Sequence, residues 1–143
     1  MISQGAEYAL RAVLCLAGRE TGRASRTQIA GVTRVPAGYL AKILQALSRA
    51  GLVKSTPGRS GGFQLARPVD QITVLDVVNA VDPVARITRC PLGLESHGAE
   101  LCPLHKRLAG VLSSVERAFS ETKIVELLGQ PSPVQSFCDA SPR

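Results

Sequence analysis

PAGYLAKILQALSRAGLVKSTPGRSGGFQLA, residues 36–66, is the stretch on which the fold turns. In its first half Leu40, Ile43, Leu44 and Leu47 recur at i, i+3, i+4 and i+7, the spacing of one face of an α-helix. Pro36 predicts the start of that helix, because the first helical position has no use for the N–H that proline lacks, and Gly51 predicts its end. The opposite face carries Gly38, Lys42, Gln45 and Arg49 and no acidic residue. In the second half Leu52–Ser55 and Phe63–Ala66 read as two short strands, joined by the glycine-rich turn TPGRSGG with Arg59 near its tip. Gly58, Gly61 and Gly62 supply the backbone freedom such a turn needs.

Upstream, Leu10, Val13, Leu14 and Ala17 draw an apolar stripe on a helix running from Ser3 to about Gly18. Cys15 flanks that stripe and reads as a small buried hydrophobe. Ser25 is a candidate N-cap for a short helix Arg26–Gly31, with Ile29 and Ala30 inward, and VTRV at 32–35 is the turn that follows. Downstream, ITVLDVVNAV at 72–81 predicts a further helix capped by Thr73, with Val74, Leu75, Val77 and Val78 inward. Helices in this order, the third with a basic polar face and a glycine-rich hairpin after it, make a winged helix-turn-helix. The expected fold class is mainly α with a small β-wing: a winged helix-turn-helix DNA-binding domain over 1–81, then a long dimerisation helix.

Residues 82–102 form a loop rich in Pro, Gly and Cys. Beyond it Leu104, Leu108, Val111, Leu112, Val115 and Phe119 mark a long amphipathic helix within a dimerisation region, 103–128. A domain this small has no place to bury so long a stripe, so pairing with a second copy is expected. A short helix Ile124–Leu128 follows, and 129–143 has the Pro/Ser content of a disordered end, in which Cys138 is incidental.

The 143 residues suffice for one core with an extension. Residues 1–68 hold ten Lys and Arg against two Glu, a net +8, while 69–143 hold seven against nine acidic residues, a net −2. Charge separated by half points to a polyanionic partner for the first half. With no Trp, two Tyr and three Phe, the chain is poor in stacking platforms for single strands, so contacts by charge and helix geometry to double-stranded DNA are expected. Gly38, Lys42, Gln45 and Arg49, with Arg26, Tyr39 and the wing residue Arg59, are the candidate DNA contacts.

No apolar run spans a bilayer, and MISQGAEYALRAV lacks the basic region and cleavage site of a secretory signal, so no membrane association and a cytoplasmic location are expected. In that compartment Cys15, Cys90, Cys102 and Cys138 are expected to be buried, metal-bound or redox-active rather than disulfide-linked. No enzyme is expected. Cys102 and His105 lack a third orienting group, and no phosphate loop or paired-carboxylate motif is present.

EYALRAVLCLA at 7–17, YLAKILQALSRAGLV at 39–53, GGFQLARP at 61–68 and ITVLDVVNAV at 72–81 stand in a familiar order and spacing. Over nearly its full length the chain resembles the bacterial iron–sulphur cluster regulators, the family of the Isc regulator and the nitric-oxide-sensitive repressor. The resemblance implies a dimeric winged-helix repressor or activator on a palindromic operator, responding to iron–sulphur, redox or nitrosative status. It also implies a sensor site in the cysteine loop. Many relatives hold a [2Fe–2S] cluster there through three evenly spaced cysteines. Their fourth ligand is a histidine three residues on or an acidic side chain near the partner's N-terminus.

This chain keeps the outer pair, Cys90 and Cys102, and has His105 three residues beyond. The middle position is Ser96, with His97 beside it, and Glu7 stands at the N-terminal acidic place. Cys90, Cys102, His105, Glu7 and His97 are the candidate ligands. Soft thiolates suit cluster iron, and an imidazole in place of one keeps ligation while raising the potential. The same residues also spell C-x6-H-x4-C-x2-H, a set that could hold zinc tetrahedrally. The third possibility is no cofactor at all, with control by a partner protein or a small molecule.

Overall fold

The computed structural model describes residues 2–97 and 100–130, with the backbone alone at His97. Its helices are α1 (Gln4–Ala17), α2 (Arg26–Thr33), α3 (Ala37–Arg49), α4 (Val74–Val81), α5 (Pro103–Glu121) and α6 (Ile124–Leu128). Strands β1 (Arg23–Ala24), β2 (Val53–Thr56) and β3 (Gly62–Leu65) form one antiparallel sheet in the order β1-β3-β2. Short 3-10 turns lie at Val69–Gln71 and Glu95–His97. The expected tail and Cys138 fall outside the described residues from 131 onward.

Local chemistry explains most boundaries. Ser3 caps α1 by accepting from the Ala6 N–H at 3.1 Å. Ser25 and Gln28 form a reciprocal capping box at α2, as Thr73 and Asp76 do at α4. α3 ends in a Schellman motif, in which the N–H of Leu52 reaches the carbonyl of Leu47 and that of Gly51 reaches Ser48, with Gly51 at φ +72°.

Two expected boundaries move. α2 runs on to Thr33, because the Thr33 hydroxyl donates to the Ile29 carbonyl at 2.7 Å and Arg34 closes the helix in the left-handed region, so the turn is confined to 34–36. Pro36 stands at the N-cap of α3 rather than at its first helical position.

α1 is the centre of the core, in contact with α2, α3, α4, α6 and β3. Its buried residues are Gly5, Ala6, Ala9, Ala12, Val13, Cys15 and Leu16, whereas Leu10, Leu14 and Ala17 are half-buried. The stripe read from the sequence is therefore rotated. Neighbours crowd the start of α1 closely, where small residues face inward: a Cβ on Gly5 would lie 3.2 Å from the Val81 side chain. Leu75 of α4 is likewise only half-buried.

The chain then returns to this core after α5. Residues Thr73 and Lys123 form a β-bridge, the N–H of Val74 donates to the carbonyl of Thr122 and that of Ile124 to the carbonyl of Ile72, both at 2.9 Å. Ile124 is fully buried. The end of the long helix is thus anchored to the start of α4.

Candidate nucleic-acid interface and metal centre

The α3 periodicity sorts its residues into two opposed faces. Leu40, Ile43, Leu44 and Leu47 are all buried, and Gly38, Lys42, Gln45 and Arg49, which fall within about 60° of one another on the helix wheel, are all exposed. Lys42, Gln45 and Ser48 line a concave surface completed by Arg26, Ser55 and Phe63, so α2, α3 and the wing meet there. Tyr39 is 45% exposed and makes an edge-to-face contact with Tyr8, ring centroids 5.4 Å apart. Its ring is partly spent on holding α3 against α1.

The wing is built on close backbone approach. A Cβ at Gly61 would stand 2.0 Å from the Thr56 carbonyl oxygen, and one at Gly62 2.8 Å from that of Ala24, so neither position admits a side chain. Arg59 is exposed at the tip. The third strand, β1, supplies a residue the sequence reading missed: the Arg23 guanidinium donates to the Ser60 carbonyl at 2.6 Å and to the Gln64 amide oxygen at 3.2 and 3.4 Å. A two-residue strand has no periodicity to betray it. The one local signal was the position of Arg23 just before the Ser25 cap.

In the second half the structure brings together Cys90, Cys102 and His105. Cys102 is the N-cap of α5, and its side chain makes no capping bond; its sulphur lies 3.1 Å from His105 Nδ1 in the first turn. Cys90 Sγ lies 3.7 Å from the same nitrogen. The three donor atoms are all within 4.8 Å of one another, and all three residues are half-buried. Cys90 opens the turn that places it there, the Gly93 N–H donating to its carbonyl at 3.2 Å. Among the described residues none of Cys15, Cys90 and Cys102 is in a disulfide.

Glu7 is not part of this group within the chain. Its carboxylate pairs with Arg11 at 2.6 Å, and Arg11 also donates to the Thr33 carbonyl at the end of α2, at 3.2 Å. The His97 side chain lies outside the described residues. Ser96 is exposed.

Helix α5 joins these halves. It buries no residue, and Leu104, Leu108 and Val111 are 63%, 43% and 49% exposed. With α4 and the start of α1 it borders an apolar groove of about 450 Å³, lined in part by Ala6, Val78, Val111, Leu112, Val115 and Phe119. Arg86 of the loop donates to Glu116 of α5 through two nitrogens, and this bond holds the Glu116 carboxyl below its ordinary pKa. No helix among the described residues is long and apolar enough to cross a membrane.

Three helices, a fourth packed behind them and a β-wing beside α3 define the winged-helix class of DNA-binding folds. Residues 2–130 match the Rrf2 family, described as an iron-dependent transcriptional regulator, and the chain belongs to that family. It is 31% identical over 134 residues to an HTH-type transcriptional regulator of Mycobacterium tuberculosis, covering 92% of this chain and 83% of that one. CymR, the global cysteine regulator of B. subtilis, matches at a TM-score of 0.73 and 24% identity, covering 90% of this chain and 95% of that one. IscR of T. potens matches at 0.73 and 22%, covering 90% and 85%. The oxidised form of Staphylococcus aureus CymR matches at 0.72 and 25%, covering 92% and 98%. The relatives are transcriptional regulators rather than enzymes, and regulators of this family bind DNA.

Proposed function

We propose that two copies of this regulator bind a palindromic operator in the cytoplasm, and that the occupancy or oxidation of the Cys90–Cys102–His105 group sets their affinity for it. The observation that carries the reading is the exposed face of α3. Lys42, Gln45 and Arg49 form a polar surface without a carboxylate, beside a wing tipped by Arg59. Major-groove base edges suit Gln45, whose amide both donates and accepts, while Lys42 and Arg49 suit phosphates or guanine. Arg26 adds to this. It occupies the first position of α2, where the helix dipole disfavours a cation, and a DNA phosphate bound there would satisfy both the arginine and the helix N-terminus.

Pairing through Leu108, Val111, Leu112, Val115 and Phe119 would cover the apolar stripe of α5 and set two recognition helices on successive half-sites. Because α5 is fixed to the loop by Arg86–Glu116 and to α4 by the Thr73–Lys123 bridge, a change at its N-terminal Cys–His group has a covalent and hydrogen-bonded route to the DNA-binding half. Thiolate and imidazole are donors that both cluster iron and zinc accept, and a bound group would supply sensitivity to oxidants, nitric oxide or metal supply. The candidates for a further ligand are His97 of the same loop and Glu7 of the partner subunit. Ligation by Glu7 would compete with its bond to Arg11.

The test is to select operators from a randomised duplex library with the native protein. Gln45→Ala should then change the selected sequence more than the overall affinity; an equal loss on every sequence would contradict a base-reading role. A second reading, control by a small molecule or partner protein without any cofactor, is favoured by the apolar groove beside α5. Metal-free, colourless protein that still binds and releases its operator on command would support it.

A further inference from the structure

We propose that Cys90, Cys102 and His105 hold a single zinc ion rather than a two-iron cluster. The inference rests on reading this group as the ligand site of the regulator, and it names the ligand. Its basis is the size of the trio. A tetrahedral ion with Zn–S of about 2.3 Å and Zn–N of about 2.0–2.1 Å spaces its ligands by roughly 3.5–3.8 Å. The Cys90–His105 separation of 3.7 Å lies in that range, the Cys102–His105 separation of 3.1 Å opens to it with a shift of a few tenths, and no pair exceeds 4.8 Å.

A [2Fe–2S] cluster divides its four ligands between two irons bridged by sulphide. Of any three ligands, at least one must then sit on the far iron, across the bridge and well away from the other two. No member of this trio stands apart in that way. All three atoms are close enough together to face a single ion.

The frame around the donors agrees with this. Cys102 and His105 are separated by a single turn at the rigid start of α5, with Pro103 fixing the first helical position and the Lys106 N–H closing the turn on the Cys102 carbonyl at 2.9 Å. Cys90 arrives from the loop, so a bound ion would clamp the loop to the helix. The position between the cysteines in sequence that would offer a third thiolate is Ser96, whose neutral hydroxyl is a poor ligand for either metal. Cys90, Cys102 and His105 supply three ligands, and the fourth position falls to water or to a further side chain such as His97 or Glu7 of the partner subunit.

The experiment uses the full chain, purified anaerobically without chelator and assayed for zinc, iron and acid-labile sulphide. The metal-free protein is then titrated with Co²⁺. About one zinc per chain with no stoichiometric sulphide is expected, and the cobalt protein should show tetrahedral d–d absorption with a thiolate charge-transfer band. Cys90→Ser, Cys102→Ser and His105→Ala should each weaken zinc binding by more than the roughly 10–100-fold that loss of an outer partner costs. Far-UV circular dichroism checks that each variant is folded, and Cys90→Ser, in a loop, leaves every helix intact. A brown protein with iron and sulphide in equal amounts overturns the zinc assignment and returns the site to a cluster. Protein that retains no metal and gives no cobalt spectrum overturns it as well. Operator binding is read separately: a zinc-loaded protein that binds no duplex in the library would overturn the DNA-reading proposal and leave the zinc site standing.

Discussion

α3 and α5 are both amphipathic, yet Leu40, Ile43, Leu44 and Leu47 of α3 are exposed by no more than 2%, whereas none of the 19 residues of α5 is buried. α3 is packed by α1, α2, α4 and β2. Its apolar face is satisfied within the chain, so its other face is released for a ligand. α5 packs on α4, is tied to the loop by Arg86–Glu116, and leaves Leu104, Leu108 and Val111 to solvent. A stripe of that kind is stabilised only when something from outside covers it. The electrostatics differ in the same sense: the polar face of α3 has no carboxylate, while α5 mixes Lys106, Arg107 and Arg117 with Glu116 and Glu121. One helix suits the proposed DNA partner and the other the proposed second copy.

The sharpest way to break this comparison is to charge the α5 stripe. Val111→Glu with Val115→Glu should convert a dimer to monomers in sedimentation and abolish tight operator binding, while the helical signal of the first 81 residues persists. A wild-type chain that already sediments as a monomer would refute the dimer. Next in size is the core face of α3. Leu47→Ala should lower unfolding stability by about 2–5 kcal/mol in urea titrations, because it leaves a cavity that nothing refills. Leu108→Ala, by contrast, should act through dimer dissociation and depend on protein concentration.

A smaller effect is expected at the cap of α2. Ser25→Ala removes the acceptor for the Gln28 N–H and should cost about 0.5–2 kcal/mol by thermal unfolding. The wing comes next. Arg59→Ala should flatten the dependence of operator affinity on salt by about one unit of slope. Arg23→Ala should weaken binding with less change of slope, since Arg23 holds the Ser60 carbonyl instead of reaching outward. Equal slopes for wild type and Arg59→Ala would place the wing off the DNA.

The smallest effect belongs to Arg86–Glu116. The hydrogen bond from Arg86, helped by its charge and opposed by partial burial, lowers the Glu116 pKa, so Glu116 binds its proton less readily in the folded state. Its contribution is therefore full above the ordinary carboxylate range and is lost as pH falls through the lowered value. The stability difference between wild type and Glu116→Gln should be flat near neutral pH and vanish in acid; a difference that grows in acid would contradict the pairing.

How much of this was legible beforehand varies with the range of the interaction. Capping residues and periodicity are local, and Ser25, Thr73, Gly51 and the α3 stripe were read correctly from neighbours a few positions apart. The family resemblance pointed to Cys90, Cys102 and His105 as a ligand group, and Cys102 and His105 share one helical turn whatever the rest of the chain does. The face of α1 that turns inward was misread. Leu16 is buried while Leu10 and Leu14 are only half-buried, and which face of a helix surrounded on several sides turns inward depends on where α4 and α3 lie.

The sequence by itself thus determined the six helices and the two wing strands, the Ser25 and Thr73 caps, the basic face of α3 and the residue types of the candidate metal group. Only the tertiary structure decided that Arg23 braces the wing from 37 positions away, that Ile124 closes the core behind α1, and that Cys90 comes to within 3.7 Å of the His105 ring nitrogen across 15 positions of chain. Periodicity and capping are properties of a few consecutive residues. Contacts between distant segments depend on how whole elements pack, and no local pattern records that.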